Sequence, residues 1–111
     1  TRAKFMISFH DRYDATIRAL EEQLSDIIDS GQDFEMERNG DVLNLEFEDG
    51  ARFIISPNSP VQQLWVSANY AGNRFNWSDE VNDWINEKTA EPFRPFLAAS
   101  ISGKLGASIS L

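Results

Sequence analysis

Apolar residues recur at three- and four-residue spacing from Phe9 through Tyr13, Ile17, Leu20, Leu24 and Ile27. That period places them on one stripe of a long first helix. Asp14, Arg18, Glu21, Glu22, Ser25, Asp26 and Asp29 fall largely off the stripe, and Ser30-Gly31 is a plausible stop. The period then changes to two. Phe34 and Met36 alternate with Asp33, Glu35 and Glu37, and Leu43, Leu45 and Phe47 alternate with Asn44, Glu46 and Glu48. Between these runs stands Asn39-Gly40, read as the central pair of a type I′ hairpin turn, where both residues need positive φ. Asp49-Gly50 is a second hairpin turn, leading to a third strand from Arg52 to Ser56. The three strands form a meander with one apolar and one polar face.

Pro57 and Pro60 interrupt strand pairing, so Pro57-Asn58-Ser59-Pro60 reads as a connection. A fourth strand runs from Val61 to Ala68, and Tyr70-Ala71-Gly72-Asn73 turns the chain. Arg74 to Trp77 and Asn82 to Asn86 are short aromatic strands. A second helix begins near Pro92, where a proline's missing N–H has no helical partner to lose. It runs to about Ser102 with Phe93, Phe96, Leu97 and Ile101 toward the sheet, and Gly103 and Gly106 end it. Ala107 to Leu111 reads as a tail without an assigned role. The expected fold is α+β: a two-layer α-β sandwich whose two terminal helices pack on one face of an antiparallel sheet, as a single domain over residues 1–111.

Charge changes this picture. Glu21 to Asp49 carry eleven acids and one base, Arg38, whereas the other 82 positions carry seven acids and nine bases. That quarter of the chain therefore carries −10 and the remainder +2, so it accounts for more than the whole formal charge of −8. Such crowding is self-repulsive. Its use is either to attract a cation or a basic protein, or it is a solvated face whose strand charges discourage edge-to-edge aggregation. With pI about 4.5, nucleic acid and anionic membrane are disfavoured as partners. The absence of cysteine excludes disulfides, thiolate metal ligation and a cysteine nucleophile. No apolar run approaches the ~20 residues that span a bilayer. The first residue is Thr1, which suggests a processed or trimmed start, and Arg2 and Lys4 are too few for a transit peptide.

The first helix and first strand are expected to bring Glu21, Glu22, Asp26, Asp29, Asp33, Glu35 and Glu37 to one edge of the molecule. Carboxylate oxygens suit hard cations such as Fe²⁺, Fe³⁺, Mn²⁺ and Ca²⁺. Residues one helical turn apart, such as Glu22 and Asp26, can share an ion. The sequence holds no Glu-x-x-His pair, calcium loop or second histidine. Binding is therefore expected to be weak, multiple and unselective. His10, the single histidine, lies near Asp11 and Asp14 and is a candidate metal contact or an incidental surface residue. Trp65 is the other anomaly. With Leu64 and Val66 toward the helices, Gln63, Trp65 and Ser67 face outward, placing an exposed tryptophan on the open sheet face as the centre of a binding surface. The opposite register would put it in the core. Trp77 and Trp84 read as structural.

Taken in order, these residues resemble the frataxin family, its bacterial branch most closely. The similarity covers nearly all of the chain. Its most specific segment is Gln63-Leu64-Trp65-Val66-Ser67, supported by Asn39-Gly40-Asp41-Val42-Leu43, Glu48-Asp49-Gly50, and Gly72, Arg74, Phe75, Trp77 and Trp84 in sequence. Phe9-His10 and Glu21-Glu22-Gln23-Leu24 resemble the bacterial first helix. The resemblance implies weak binding of several iron ions on an acidic ridge. It also implies a role in iron–sulfur cluster assembly through a cysteine desulfurase and a scaffold protein. By this carry-over, Glu21, Glu22, Asp26, Asp29, Asp33, Glu35, Glu37 and Glu48 are iron- or desulfurase-facing acids. His10 and Asp14 match family positions too, and Gln63, Trp65 and Arg74 match partner-binding ones. It further implies a cytoplasmic monomer in a bacterium, or one of the mitochondrial matrix in a eukaryote, with iron-promoted oligomers as a variant. Departures stand at Ser25 and Ile28, where bacterial relatives carry more acid, at Ser56-Pro57-Asn58, and at Asn76 in place of a common aspartate. The leading expectation is a non-enzymatic iron-binding donor or regulator. A metal-independent acidic module acting on the desulfurase and a ferroxidase are the alternatives.

Overall fold

The computed structural model describes residues 7–68 and 70–111. Arg2 and Lys4, weighed above as a leader, lie outside them. Helix α1 spans Phe9–Asp29 and starts where the Ser8 side chain accepts the Asp11 N–H at 3.1 Å, satisfying one otherwise orphaned donor. The strands are β1 (Phe34–Asn39), β2 (Val42–Phe47), β3 (Arg52–Asn58), β4 (Gln63–Ala68), β5 (Ala71–Ser78) and β6 (Asp83–Asn86), followed by helix α2 (Phe93–Leu105). The six strands lie in sequence order, each antiparallel to the next, so β1 and β6 are the two edges. Both helices cover one face, as the α+β reading expected. Tyr13, Ile17, Leu20 and Leu24 of α1 and Phe93, Leu97 and Ile101 of α2 join Leu43, Leu45, Phe53, Ile55, Leu64, Val66, Phe75 and Trp84 in one core. The period-two residues alternate about the sheet as their pattern requires.

Several boundaries differ from the sequence reading. Asn39 pairs with Val42, so the first hairpin's central residues are Gly40-Asp41 rather than Asn39-Gly40. Gly40 alone takes positive φ there, +59°, the geometry of a turn with glycine at its first central position. The second hairpin closes through Glu48-Asp49-Gly50, with Gly50 at φ +85°. Pro57 and Asn58 belong to β3 and pair with Leu64 and Gln63. Proline is tolerated because pairing of β3 with β2 ends at Ile55, so Pro57 has a neighbour on one side only. Val61 lies in a single 3₁₀ turn, Ser59–Val61, that precedes β4. The strand after Tyr70 starts earlier than expected, at Ala71. Helix α2 passes Gly103 and ends at Gly106, φ +66°. The final segment is not a free tail: Ile109 and Leu111 pack against the core, and the Ile109 N–H donates to Ser102 Oγ at 3.0 Å.

Long-range hydrogen bonds tie the helical layer to the sheet. The Trp84 indole N–H donates to Thr16 Oγ1 at 2.9 Å in the core. The Trp77 ring meets Trp84 edge-on and donates to Asp79, so both tryptophans are structural with polar partners, as expected. The Tyr13 hydroxyl donates to the carbonyls of Asp41 and Ile55. Burial first, and the nearby Asp41 charge second, push its phenol far above the ordinary range.

Candidate functional site

The acidic stretch divides around the edge strand β1. Phe34, Met36 and Arg38 share the side of β1 that faces the helices, while Glu35, Glu37 and Asn39 share the open side. On that parity Arg38 reaches α1. Its Nη1 bonds Glu21 Oε1 at 2.6 Å and its Nη2 bonds Asp14 Oδ1 at 3.2 Å, while Arg18 Nε bonds the other Asp14 oxygen at 2.9 Å. All three members of the Arg38 clamp are half-buried. The bond to Glu21, with Asp14 adding to it, drives the guanidinium pKa above its already high ordinary value. Two of the residues proposed to contact iron, Glu21 and Asp14, are thus already paired with a fixed cation. The sequence parity that puts Arg38 with Phe34 and Met36 was the available signal for it.

The remaining acids of α1 and its exit are exposed: Asp11 in the first turn, and Glu22, Asp26, Asp29 and Asp33 toward its end. Ser25 and Ile28 interrupt them, and Ile28 packs on the core rather than facing solvent freely. His10 is exposed one turn before Asp14. Glu35 and Glu37 line a recess on the opposite face with Asn44, Glu46 and Arg52. Glu35 stands directly across from Glu46, a like-charged pair. Glu48 is exposed in the β2–β3 turn beside Asp49. Lys104 of α2 bonds Asp49 at 2.8 Å. That bond, aided by the Ala51 N–H, holds the Asp49 carboxyl below the usual carboxylate range. The acids expected on one edge therefore flank the edge strand on two faces. Among the described residues, no three of His, Cys, Asp and Glu come together closely enough to hold one ion.

The open sheet face carries the second candidate. Leu64 and Val66 are buried under the helices and Trp65 points the other way, as its neighbours implied. Trp65 is half-buried rather than fully exposed. The Arg74 guanidinium, directly across on β5, lies 4.8 Å from the ring centroid. The Trp65 indole N–H donates to Gln63 Oε1 at 2.9 Å. Gln63 differs from expectation. Only 9% exposed, it spends its amide on Asn76 Oδ1 at 3.2 Å and Glu87 Oε1 at 2.9 Å. It is a bracket that fixes Trp65 rather than a free contact. Trp65 and Arg74 form one wall of a concavity of about 450 Å³ that extends to the loop after β6. Lys88 and Thr89 on that loop were not foreseen as site residues; nothing in their local sequence marks them.

The Frataxin-like domain model matches residues 6–107. The chain belongs to the frataxin family. Among bacterial frataxin relatives, the iron-sulfur cluster assembly protein CyaY of Pseudomonas fluorescens (strain SBW25) is 36% identical over 101 residues, covering 91% of this chain and 89% of that one. The protein of the same name from Pseudomonas putida (strain GB-1) is 40% identical over 83 residues, 75% and 73% of the two chains. The solved frataxin from Psychromonas ingrahamii superposes with a TM-score of 0.81 at 27% identity over 92% of each chain. As a frataxin, the chain departs from the expected bacterial pattern where its own contacts explain the choice: Asn76 accepts from Gln63, and Ile28 packs on the core. No helix among the described residues is long and apolar enough to cross a membrane.

Proposed function

We propose that this frataxin acts in iron–sulfur cluster assembly as a weak binder of iron and a regulator of the cysteine desulfurase, not as an enzyme. The observation that carries the reading is the run of solvent-facing carboxylates Glu22, Asp26, Asp29 and Asp33 along α1 and its exit, in a chain whose relatives are named for that process. Hard oxygen donors suit ferrous and ferric iron, and Mn²⁺ or Ca²⁺ less specifically. Because the acids are spread and solvated, each ion is held by one or two carboxylates and exchanges readily. The iron is cargo at this surface rather than a resident cofactor. His10, Glu35, Glu37 and Glu48 are peripheral contacts in this reading, and Asp14 and Glu21 are withdrawn from it by Arg38.

The same geometry supports a second use of the charge. An open acidic surface docks on a basic protein face whether or not iron is present, and Trp65 with Arg74 offers a separate contact for the scaffold protein. One experiment separates these uses. Fe²⁺ is titrated calorimetrically under anaerobic conditions into the native chain and into a Glu22→Lys, Asp26→Lys, Asp29→Lys variant, and desulfurase binding is measured both with iron and in chelator. Loss of iron uptake in the variant is the expected result; unchanged uptake removes these acids from the iron surface. Equal desulfurase binding with iron and with chelator makes the metal-independent use the correct one. Saturable, catalytic Fe²⁺ oxidation by the monomer would replace both with a ferroxidase.

A further inference from the structure

The chain is strongly acidic, yet its cations are not evenly neutralised. Among the described residues, Arg12, Arg18, Arg38, Arg52 and Lys104 each meet a carboxylate. Arg94 is held by Gln23 Oε1 at 2.9 Å. Arg74 and Lys88 meet no carboxylate within ion-pair distance, and both line the same concavity of about 450 Å³. They are brought together by the backbone: the Glu87 N–H donates to the Arg74 carbonyl at 2.9 Å, which places Lys88 one residue beyond the join. Asn86 Oδ1 accepts the N–H groups of both Lys88 and Thr89, at 2.9 and 3.1 Å, and so fixes the loop that carries the lysine.

The rest of the lining suits one kind of occupant. Ile54 and the Trp65 ring supply apolar surface, and Ser67 and Thr89 supply hydroxyls. Arg74 is pre-set by stacking on Trp65, so little side-chain freedom remains to be lost when its N–H groups meet an anion. Glu87 is the one acid on the lining, and its Oε1 accepts from the Gln63 amide. The concavity crosses from β3 over β4 and β5 to the loop after β6 and is partly open to solvent, which leaves room for a segment of another chain. We propose that it receives an acidic segment of a partner protein, with an Asp or Glu side chain between Arg74 and Lys88 and a neighbouring aliphatic side chain against Trp65 and Ile54. The inference rests on the partner-binding reading of Trp65 and Arg74 and adds the chemistry of what binds: carboxylate plus aliphatic, opposite in sign to what the α1 acids attract.

The test needs neither iron nor desulfurase, so its failure leaves the iron–sulfur reading standing. The ¹⁵N-labelled chain is titrated with acetyl-Val-Glu-Val-amide, with acetyl-Val-Gln-Val-amide, and with sodium acetate at matched ionic strength. The glutamate peptide is expected to shift the Trp65 indole N–H and the amides of Arg74 and Lys88, and the glutamine peptide to bind several-fold more weakly. Lys88→Glu, an exposed loop change that leaves the rest of the amide spectrum in place, is expected to weaken the glutamate peptide by about fivefold or more. Equal binding of the two peptides, or no effect of Lys88→Glu, overturns the proposal. Acetate matching the glutamate peptide would also overturn it, by making the concavity a site for small anions.

Discussion

Arg38 decides how the acidic charge can be used. Its guanidinium bonds two carboxylates of α1 from beneath, so a metal ion at Asp14 or Glu21 must first displace an ion pair already in place. Half-buried pairs of this kind stabilise by about 1 kcal/mol or less each, and removing the shared cation also leaves two like charges facing each other. Arg38→Met is therefore expected to lower stability by about 1–2 kcal/mol in urea unfolding, from the repulsion released between Asp14 and Glu21. The same variant is expected to take up Fe²⁺ or Mn²⁺ about fivefold more tightly in anaerobic calorimetry, since the competing cation is gone. Uptake identical to the native chain would mean that those two acids take no part even when freed. Gln63 teaches a similar lesson. Its polarity and parity placed it correctly on the open face, but its burial depends on Asn76 and Glu87, which no local pattern connects to it.

At the level of elements, the alternation of β1 and β2, the apolar stripe of α1 and the positions of Leu64 and Val66 were legible because one face of each must meet the core. Turn details were less so. The glycine at position 40 announces a hairpin, but register decides which residue pair is central, and register is set by the whole ladder. Pro57 misleads because the rule against proline in strands assumes neighbours on both sides, whereas β2 has ended by that point. The C-terminal segment was opaque because Ile109 and Leu111 find their partners only after α2 is docked. One contact tests the docking of α2 directly. Lys104 bonds Asp49 across to the β2–β3 turn, and Asp49 titrates below its ordinary value because of it. A depressed carboxylate contributes stability above its unfolded-state pKa and loses it as pH falls through the lowered, folded-state value. In Lys104→Gln the Asp49 side-chain carbon, followed by NMR, is expected to titrate higher, back toward the ordinary aspartate range. The acid limb of the stability curve should then be shallower, because Asp49 no longer binds protons differently in the folded and unfolded states. An unmoved midpoint would assign the depression to the Ala51 N–H instead.

Across the whole molecule, charge is sorted rather than mixed. Exposed acids dominate α1 and the β1 edge, while Arg74 and Lys88 stand together on the open face. The molecule is 52 Å long, and exposed charges are screened over about 8 Å at physiological salt, so each region acts on what touches it. Docking of the acidic region on a basic desulfurase face is thus expected to weaken steeply as salt rises from about 0.05 to 0.5 M. Trp65→Ala is expected to reduce scaffold binding with a much shallower salt dependence, since the ring contributes apolar area. Parallel salt series by surface plasmon resonance would show the two slopes. Equal slopes would mean that one electrostatic surface serves both contacts.

The strands lie side by side in the order in which they are made, so nearly every sheet contact joins residues a few tens of positions apart or fewer. The exceptions are the contacts that close the ends of the chain onto each other, among them the buried Trp84 indole on Thr16, a separation of 68 residues. Short-range pairings form early and long closures are entropically late. The hairpins are then expected to be assembled in the folding transition state, with the α1–β6 junction completed afterward. Thr16→Val, which removes the hydroxyl but keeps the shape, should accelerate unfolding while leaving the refolding rate nearly unchanged in stopped-flow chevrons. A slowed refolding arm would instead place that junction in the nucleus, making the first helix and the sixth strand the seed of the fold.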